Sequence, residues 1–411
     1  MRIGIWIGLC LLAWVSAASA FEPPKEGYEL HEWGVFSVPR NDAWAQRDMR
    51  AEWAGFPKFF DRVWPDKHLP WNGPVKKPVI FLYTAKEMSL EMNVRFAEGR
   101  PLVWWPHATS PADYGGGDRL GGDLKTLQFT FNLKPAGLAG DKHPPPPDVP
   151  AGHWVETLRK VEADLVFTGG GFSRRGDETP GVERFIYYDG VMKAPPAPEA
   201  ARDGDNLALK TTCDHAMLDV LVIDRRGGKV FVSKPFIEKV DAGPQSVKIE
   251  LVAADDKALE ALQKELAARL EKAGLTAAEA GALVKIWKPG FFDADGLTLL
   301  YRVPQEIYEK WLPLTAKPAP NKTVRVGLVV HEHLEPELET TVNALIAKLS
   351  AEDFDTRDTA QKALLKIGGA AFPILTKHFS DTDAETAKAC KLIVEALDVT
   401  PALKDLEKKD K

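Results

Sequence analysis

Cysteine is scarce in this 411-residue chain, with three in all, and only Cys213 and Cys390 fall beyond the first 20 residues. Two such distant cysteines exclude a disulfide-stapled scaffold, and a chain of this length builds its core without staples. Two free, buried thiols are therefore expected, with one disulfide between them as the alternative. Long apolar runs are equally rare. After residue 20 no stretch approaches the roughly 18 apolar residues that a spanning helix needs, so the reading is of no membrane span. A basic surplus is missing too: 53 Lys and Arg stand against 59 Asp and Glu, for a formal charge of −6. Both signs are interspersed, without the basic stripe of a nucleic-acid binder.

Catalytic signatures are also wanting. The chain holds no Gly-x-Ser-x-Gly nucleophile elbow and no His-Glu-x-x-His zinc helix. Asp293-Ala294-Asp295-Gly296 begins like a calcium loop, but apolar Leu297–Leu300 removes the downstream acid, so it reads as a turn. Gly169-Gly170-Gly171, ahead of Arg174-Arg175, follows a strand-like run without opening a helix, and reads as a glycine turn rather than a phosphate loop.

What is present begins with the leader. Arg2 precedes the apolar run Ile3–Val15, and Ser16-Ala17-Ala18-Ser19-Ala20 ends in a small-x-small pattern. Residues 1–20 thus read as a cleavable secretory signal peptide, with the working protein starting near Phe21. Its apolar part, about 13 residues, is too short for a permanent span. Cys10 lies inside the run behind Gly8-Leu9, which is not the setting of a lipid anchor. The expectation is a soluble protein, periplasmic or extracellular.

Residues 21–336 read as a β-rich domain. Met88, Leu90, Met92, Val94 and Phe96 alternate with polar residues, and Pro78–Thr84 before them is continuously apolar. The short Ala85-Lys86-Glu87 link predicts that the two runs pair as a hairpin. Leu127, Phe129 and Phe131 repeat the alternation, and further strand-like runs cover Ala163–Thr168, Glu183–Asp189, Met217–Asp224, Lys229–Phe236 and Ser246–Val252. Strands without helices between them predict antiparallel, sandwich-like sheets. Loops are expected at 113–122, 137–152 and 193–205, where glycine or proline is dense. An inserted helical hairpin is expected over 256–287, with Gly274 ending its first helix and Thr276-Ala277-Ala278-Glu279 forming a capping box for the second. Strand then resumes at Leu297–Val303 and Val324–His333.

Residues 337–411 read as wholly helical. Arg357–Ile367, with Ala360, Leu364 and Ile367 inward, resembles Glu385–Leu397, with Ala389, Ile393 and Leu397 inward. The spacing is similar to the HEAT-repeat class, which implies a surface for protein partners.

Two sites are candidates for chemistry. In Leu30-His31-Glu32-Trp33-Gly34-Val35-Phe36, a strand would put Tyr28, Leu30, Glu32 and Phe36 on one face and His31, Trp33 and Val35 on the other. A carboxylate on an apolar face needs a partner. Either a bulge at Gly34 rotates the register, or Glu32 meets a buried arginine; a polar network pinning the strand competes with a metal or acid–base role. At the end of the last strand run, His331-Glu332-His333 places two imidazoles on one face. They would hold a divalent metal only if the fold brought in a third ligand from His31, Glu32, His107 or His153. Seven tryptophans (Trp33, Trp44, Trp53, Trp64, Trp71, Trp104 and Trp105) crowd residues 33–105. They read first as core or lid and second as a sugar-stacking platform.

The motif His31-Glu32-Trp33-Gly34, followed by Lys77–Tyr83, Glu183-Arg184-Phe185-Ile186-Tyr187-Tyr188, Phe291-Phe292 with Gly296-Leu297, and Leu312-Pro313-Leu314, resembles a family of exported bacterial proteins of unknown function, many of them from planctomycetes. Val35 stands where that family more often has threonine. The resemblance implies the β-rich architecture and brings no catalytic residues. The expected function is a non-catalytic binding or assembly protein with protein partners, glycan being a further option. The alternative is a metal-dependent hydrolase or carbohydrate-active enzyme using His31, Glu32, His331 and His333.

Overall fold

The computed structural model describes residues 21–38, 40, 55–63, 73–109, 125–137, 145–168 and 181–397. The expected leader, the expected glycine turn at Gly169–Gly171 with its arginines, and Trp44, Trp53, Trp64 and Trp71 lie outside the described residues.

The strands run β1 (Tyr28–Val38), β2 (Asp61–Arg62), β3 (Gly73–Thr84), β4 (Met88–Arg95), β5 (Gly99–Trp105), β6 (Thr126–Lys134) and β7 (Leu165–Thr168). They continue as β8 (Gly181–Glu183), β9 (Ile186–Met192), β10 (Glu199–Asp203), β11 (Asn206–Thr211), β12 (Met217–Arg226) and β13 (Lys229–Ser233). The remainder are β14 (Ile237–Val240), β15 (Gln245–Ile249), β16 (Leu251–Ala253), β17 (Gly296–Val303), β18 (Leu314–Lys317) and β19 (Lys322–His331). Helices are α1 (Trp154–Arg159), α2 (Asp256–Lys272), α3 (Ala277–Lys288) and α4 (Gln305–Trp311), then α5 (Leu338–Ile346), α6 (Phe354–Ile367), α7 (Phe372–Lys377) and α8 (Ala384–Leu397). The chain is mainly β, with antiparallel sheets and C-terminal helices.

A central sheet is ordered β16-β13-β12-β17-β19-β1-β3-β9-β5-β2, with β14 also on β12. Its pairs are antiparallel except β1 with β19, which run parallel. One face packs on α1, α2 and α3: Trp33, Val35, Val79, Phe81, Val326 and Leu328 meet Leu259, Leu262, Leu266, Leu270 and Leu283. Each buried leucine of the hairpin contributes on the order of 1.5–3 kcal/mol. The other face packs on two smaller sheets, β18-β4-β6-β7-β8 and β10-β11-β15. There Tyr28, Leu30, Phe36, Ile80 and Leu82 meet Leu90, Met92, Phe129, Leu207 and Ile249. Residues from Leu338 to Val394 form a third, separate cluster around Val342, Leu364, Cys390 and Ile393. Cys213 and Cys390 are free and buried.

Local rules account for many boundaries. Gly274, at φ 112°, ends α2, and a Cβ there would stand 2.9 Å from Val324 Cγ1. Thr276 and Glu279 form both halves of the capping box on α3. Gly227 and Gly228, both at positive φ, turn β12 into β13, as a two-residue hairpin of this hand requires.

Three expectations are corrected. The runs at 78–84 and 88–96 do not pair: β3 joins β1 and β9 in the central sheet, whereas β4 joins β6 and β18. The continuously apolar run is buried on both faces and belongs in the middle layer, while the alternating run needs only one covered face. The proline-rich stretch 193–205 is not all loop, because its end forms edge strand β10, which its prolines precede. A short helix, α1, also falls where only strands and loops are expected; His153 caps it by accepting from Val155 N–H.

Candidate functional site

β1 carries the first candidates, and its period of two decides where they go. His31 faces the helical hairpin together with Trp33 and Val35, while Glu32 faces the smaller sheets with Leu30 and Phe36. Adjacent in sequence, the two point into different cores.

Glu32 meets a buried arginine. Arg325 of β19, its register partner, donates from Nε to Glu32 Oε2 at 2.5 Å, and Tyr188 donates its hydroxyl to Glu32 Oε1. The guanidinium also stacks over Tyr308 at 4.4 Å. Burial opposes the charge on Arg325, yet the Glu32 carboxylate wins and holds the guanidinium more basic than usual. Burial first, and then Glu32, pushes the Tyr188 phenol well above its ordinary range. A bulge does occur here, but on β3: the register shifts opposite Trp33–Val35, where Lys77 takes φ 50°. β1 itself stays regular. Gly34 is required there because a Cβ would meet Tyr308 Oη at 2.7 Å.

On the other face, His31 Nδ1 lies 3.0 and 3.2 Å from the two oxygens of Glu279. Tyr83 donates to the same carboxylate at 2.9 Å, and Thr276 N–H donates at 2.6 Å. The acid that caps α3 thus also anchors that helix to β1 and β3. Burial, then Glu279, raises the Tyr83 phenol far above its usual range. His31 Nε2 and Glu29 Oε2 face one another at 3.5 Å, and Phe21 lays its ring against both His31 and Tyr83.

His331 and His333 lie at the far end. In the parallel register His31 pairs with Val324 and His331 with Val38. Seven residues of strand separate the two imidazoles, roughly 23 Å, and they project to opposite faces. His331 is fully buried, stacked on Tyr301 at 5.8 Å, with neither ring nitrogen hydrogen-bonded. Burial pushes it down to about 3. His333, at φ 56°, pairs with Glu335 at 2.9 Å. Burial opposes its charge, but Glu335 holds it above the usual imidazole value. His107 binds Asp61 at 2.7 Å, and His153 is spent on its helix cap. The structure therefore brings His31, Glu32, His331 and His333 to no common point. Among the described residues no group of three or more His, Cys, Asp or Glu is placed to hold a metal ion.

An open cleft of about 580 Å³ lies beside the carboxyl ends of β1 and β19, where the chain leaves for α5. Val38, Leu334, Pro336 and the proline-rich segment 194–200 line it, with Arg40, Glu199 and Glu332 as its charged groups. Arg40 Nη1 donates to the carbonyls of His333 and Glu335 at 2.7 and 3.0 Å. Sequence reasoning missed this cleft. It also missed Glu279 and Tyr83 as partners of His31, for which the capping box was the only signal. Arg325 was more visible, being the one charge within the run Val324–Val330.

No family model and no curated protein matches the chain. Among the described residues no helix is long and apolar enough to cross a membrane.

Proposed function

We propose that this is an exported, soluble, non-catalytic binding or assembly protein, periplasmic or extracellular, whose sandwich-like β-rich domain carries a HEAT-like C-terminal module for protein partners. The observation that carries this reading is the fate of the chemistry-bearing side chains. Glu32 with Arg325 and His31 with Glu279 are buried pairs that tie one element to another, and neither lines the cleft at the carboxyl ends of β1 and β19. Paired and water-excluded groups hold structure; catalysis needs a group that a substrate can reach. Glycan stacking gains no support from Trp33, Trp104 and Trp105, all of them buried.

Elemental analysis of the dialysed protein, run beside a panel of hydrolase substrates, tests the reading. The expected result is no stoichiometric metal and no turnover. Stoichiometric metal together with turnover lost in His331→Ala would refute it in favour of a metal-dependent hydrolase. For export, N-terminal sequencing of the secreted protein is expected to begin at Phe21.

A further inference from the structure

The start of β1 holds a buried corner with more acceptors than donors. Glu29 and His31 project from the same face of the strand, and Glu29 lies opposite Tyr83 of β3 and Lys322 of β19. His31 is fully buried, and its Nδ1 faces both oxygens of Glu279. A carboxylate only accepts, so Nδ1 carries a proton. Nε2 then meets Glu29 Oε2 at 3.5 Å. In a neutral imidazole that nitrogen is an acceptor facing an acceptor, and both atoms are buried without a hydrogen bond. Buried polar atoms are almost always satisfied, so the corner lacks a donor. Lys322 does not fill the place: its Nζ stands 3.7 Å from Glu29 Oε2, on a side chain that is 54 % exposed.

Phe21, the expected first residue of the working protein, borders this corner. Its ring centroid lies 5.5 Å from that of His31 and 4.5 Å from that of Tyr83, and it packs against the core beneath the helical hairpin. The backbone nitrogen is only a few bonds from that ring. Hydrolysis of the Ala20–Phe21 amide takes up one water and leaves a carboxylate on Ala20 and an ammonium on Phe21. An uncharged amide with a single proton thereby becomes a cation with several donors. We propose that Glu29 and His31 form the binding site for the chain's own α-ammonium, so that removal of the leader completes the fold. The proposal rests on the export reading above.

The test compares the chain prepared to begin at Phe21 with the same chain retaining Ser19-Ala20, which keeps an ammonium but moves it away from the corner. In urea unfolding the retained residues are expected to raise the unfolding equilibrium constant about tenfold, the worth of a hydrogen bond to a charged group. In Glu29→Gln the two starts are expected to agree within about twofold. Should Glu29→Gln lose the native circular dichroism spectrum, acetic anhydride gives a second reading on the unaltered sequence. The Phe21 amine is expected to acylate about tenfold more slowly in the folded chain than in the urea-unfolded one, because an opposing carboxylate favours the unreactive ammonium. Equal stability of the two starts would overturn the proposal and leave His31 to carry a second proton towards Glu29. A loss that persists in Glu29→Gln would also overturn it, assigning the effect to crowding around the Phe21 ring, and so would equal acylation rates. Those results leave export standing, whereas a secreted protein that begins elsewhere removes the cleavage reading itself and this proposal with it.

Discussion

Burying His331 without a partner ties stability to pH in a way that one substitution isolates. Its ring is fully buried on Tyr301, both nitrogens lack hydrogen bonds, and burial pushes it down to about 3. In the unfolded chain the same imidazole titrates near 6.5. Below that value the unfolded state takes up a proton that the folded state refuses, so stability falls as the pH drops from about 6.5 toward 3. Each unit is worth about 1.4 kcal/mol, and between pH 7 and pH 5 the loss comes to about 2 kcal/mol. Other histidines and carboxylates titrate over the same interval, so the quantity to measure is a difference. Urea unfolding of wild type and His331→Leu at pH 7 and pH 5 supplies it. At pH 7 the variant should be at least as stable, since an unpaired buried polar group costs roughly 1–3 kcal/mol. At pH 5 its advantage should widen by about 2 kcal/mol. A gap that stays constant between the two pH values would mean that His331 charges in the folded state, and the argument from its burial would fail.

Removing one member of the Glu32–Arg325 pair strands a buried charge, so Glu32→Gln or Arg325→Met should each lower the urea-derived stability by about 3–5 kcal/mol. The double change should recover most of that loss, which a double-mutant cycle would reveal. Glu279→Ala removes one half of the capping box of α3 together with the partner of His31 and Tyr83. Its loss should exceed the approximately 1 kcal/mol of a cap alone, which Thr276→Ala measures beside it in the same melts. Gly274→Ala should lower the melting temperature, because φ 112° disfavours any side chain and the added Cβ would crowd Val324.

Part of this architecture was legible from periodicity alone. The alternation in Tyr28–Phe36 assigned His31 and Glu32 to opposite faces, and both cores show that assignment. A carboxylate on an apolar face left two alternatives, a bulge at Gly34 or a buried arginine; Arg325 is that arginine, and the bulge falls on β3 instead. The hairpin signals at Gly274, Thr276 and Glu279 were readable because caps act within a few residues. The pairing of β3 with β4 was misread for the opposite reason. A short link makes adjacency in the chain look like adjacency in a sheet, while the choice of sheet depends on how many faces must be covered. The cleft was invisible, since Val38, Arg40, residues 194–200, Glu332, Leu334 and Pro336 meet there only after folding.

By itself the sequence determined the local matters: the faces of strands and helices, and the caps and turns. These follow from backbone geometry and side-chain period over a few residues. Tertiary structure alone decided which charges meet. The parallel pairing of β1 with β19 joins Glu32 to Arg325 across 293 residues of chain. It also holds His31 and His331 at opposite ends of the same strand pair, and it opens the cleft where both strands end. Such partners are chosen by the burial of whole layers, which no local pattern encodes.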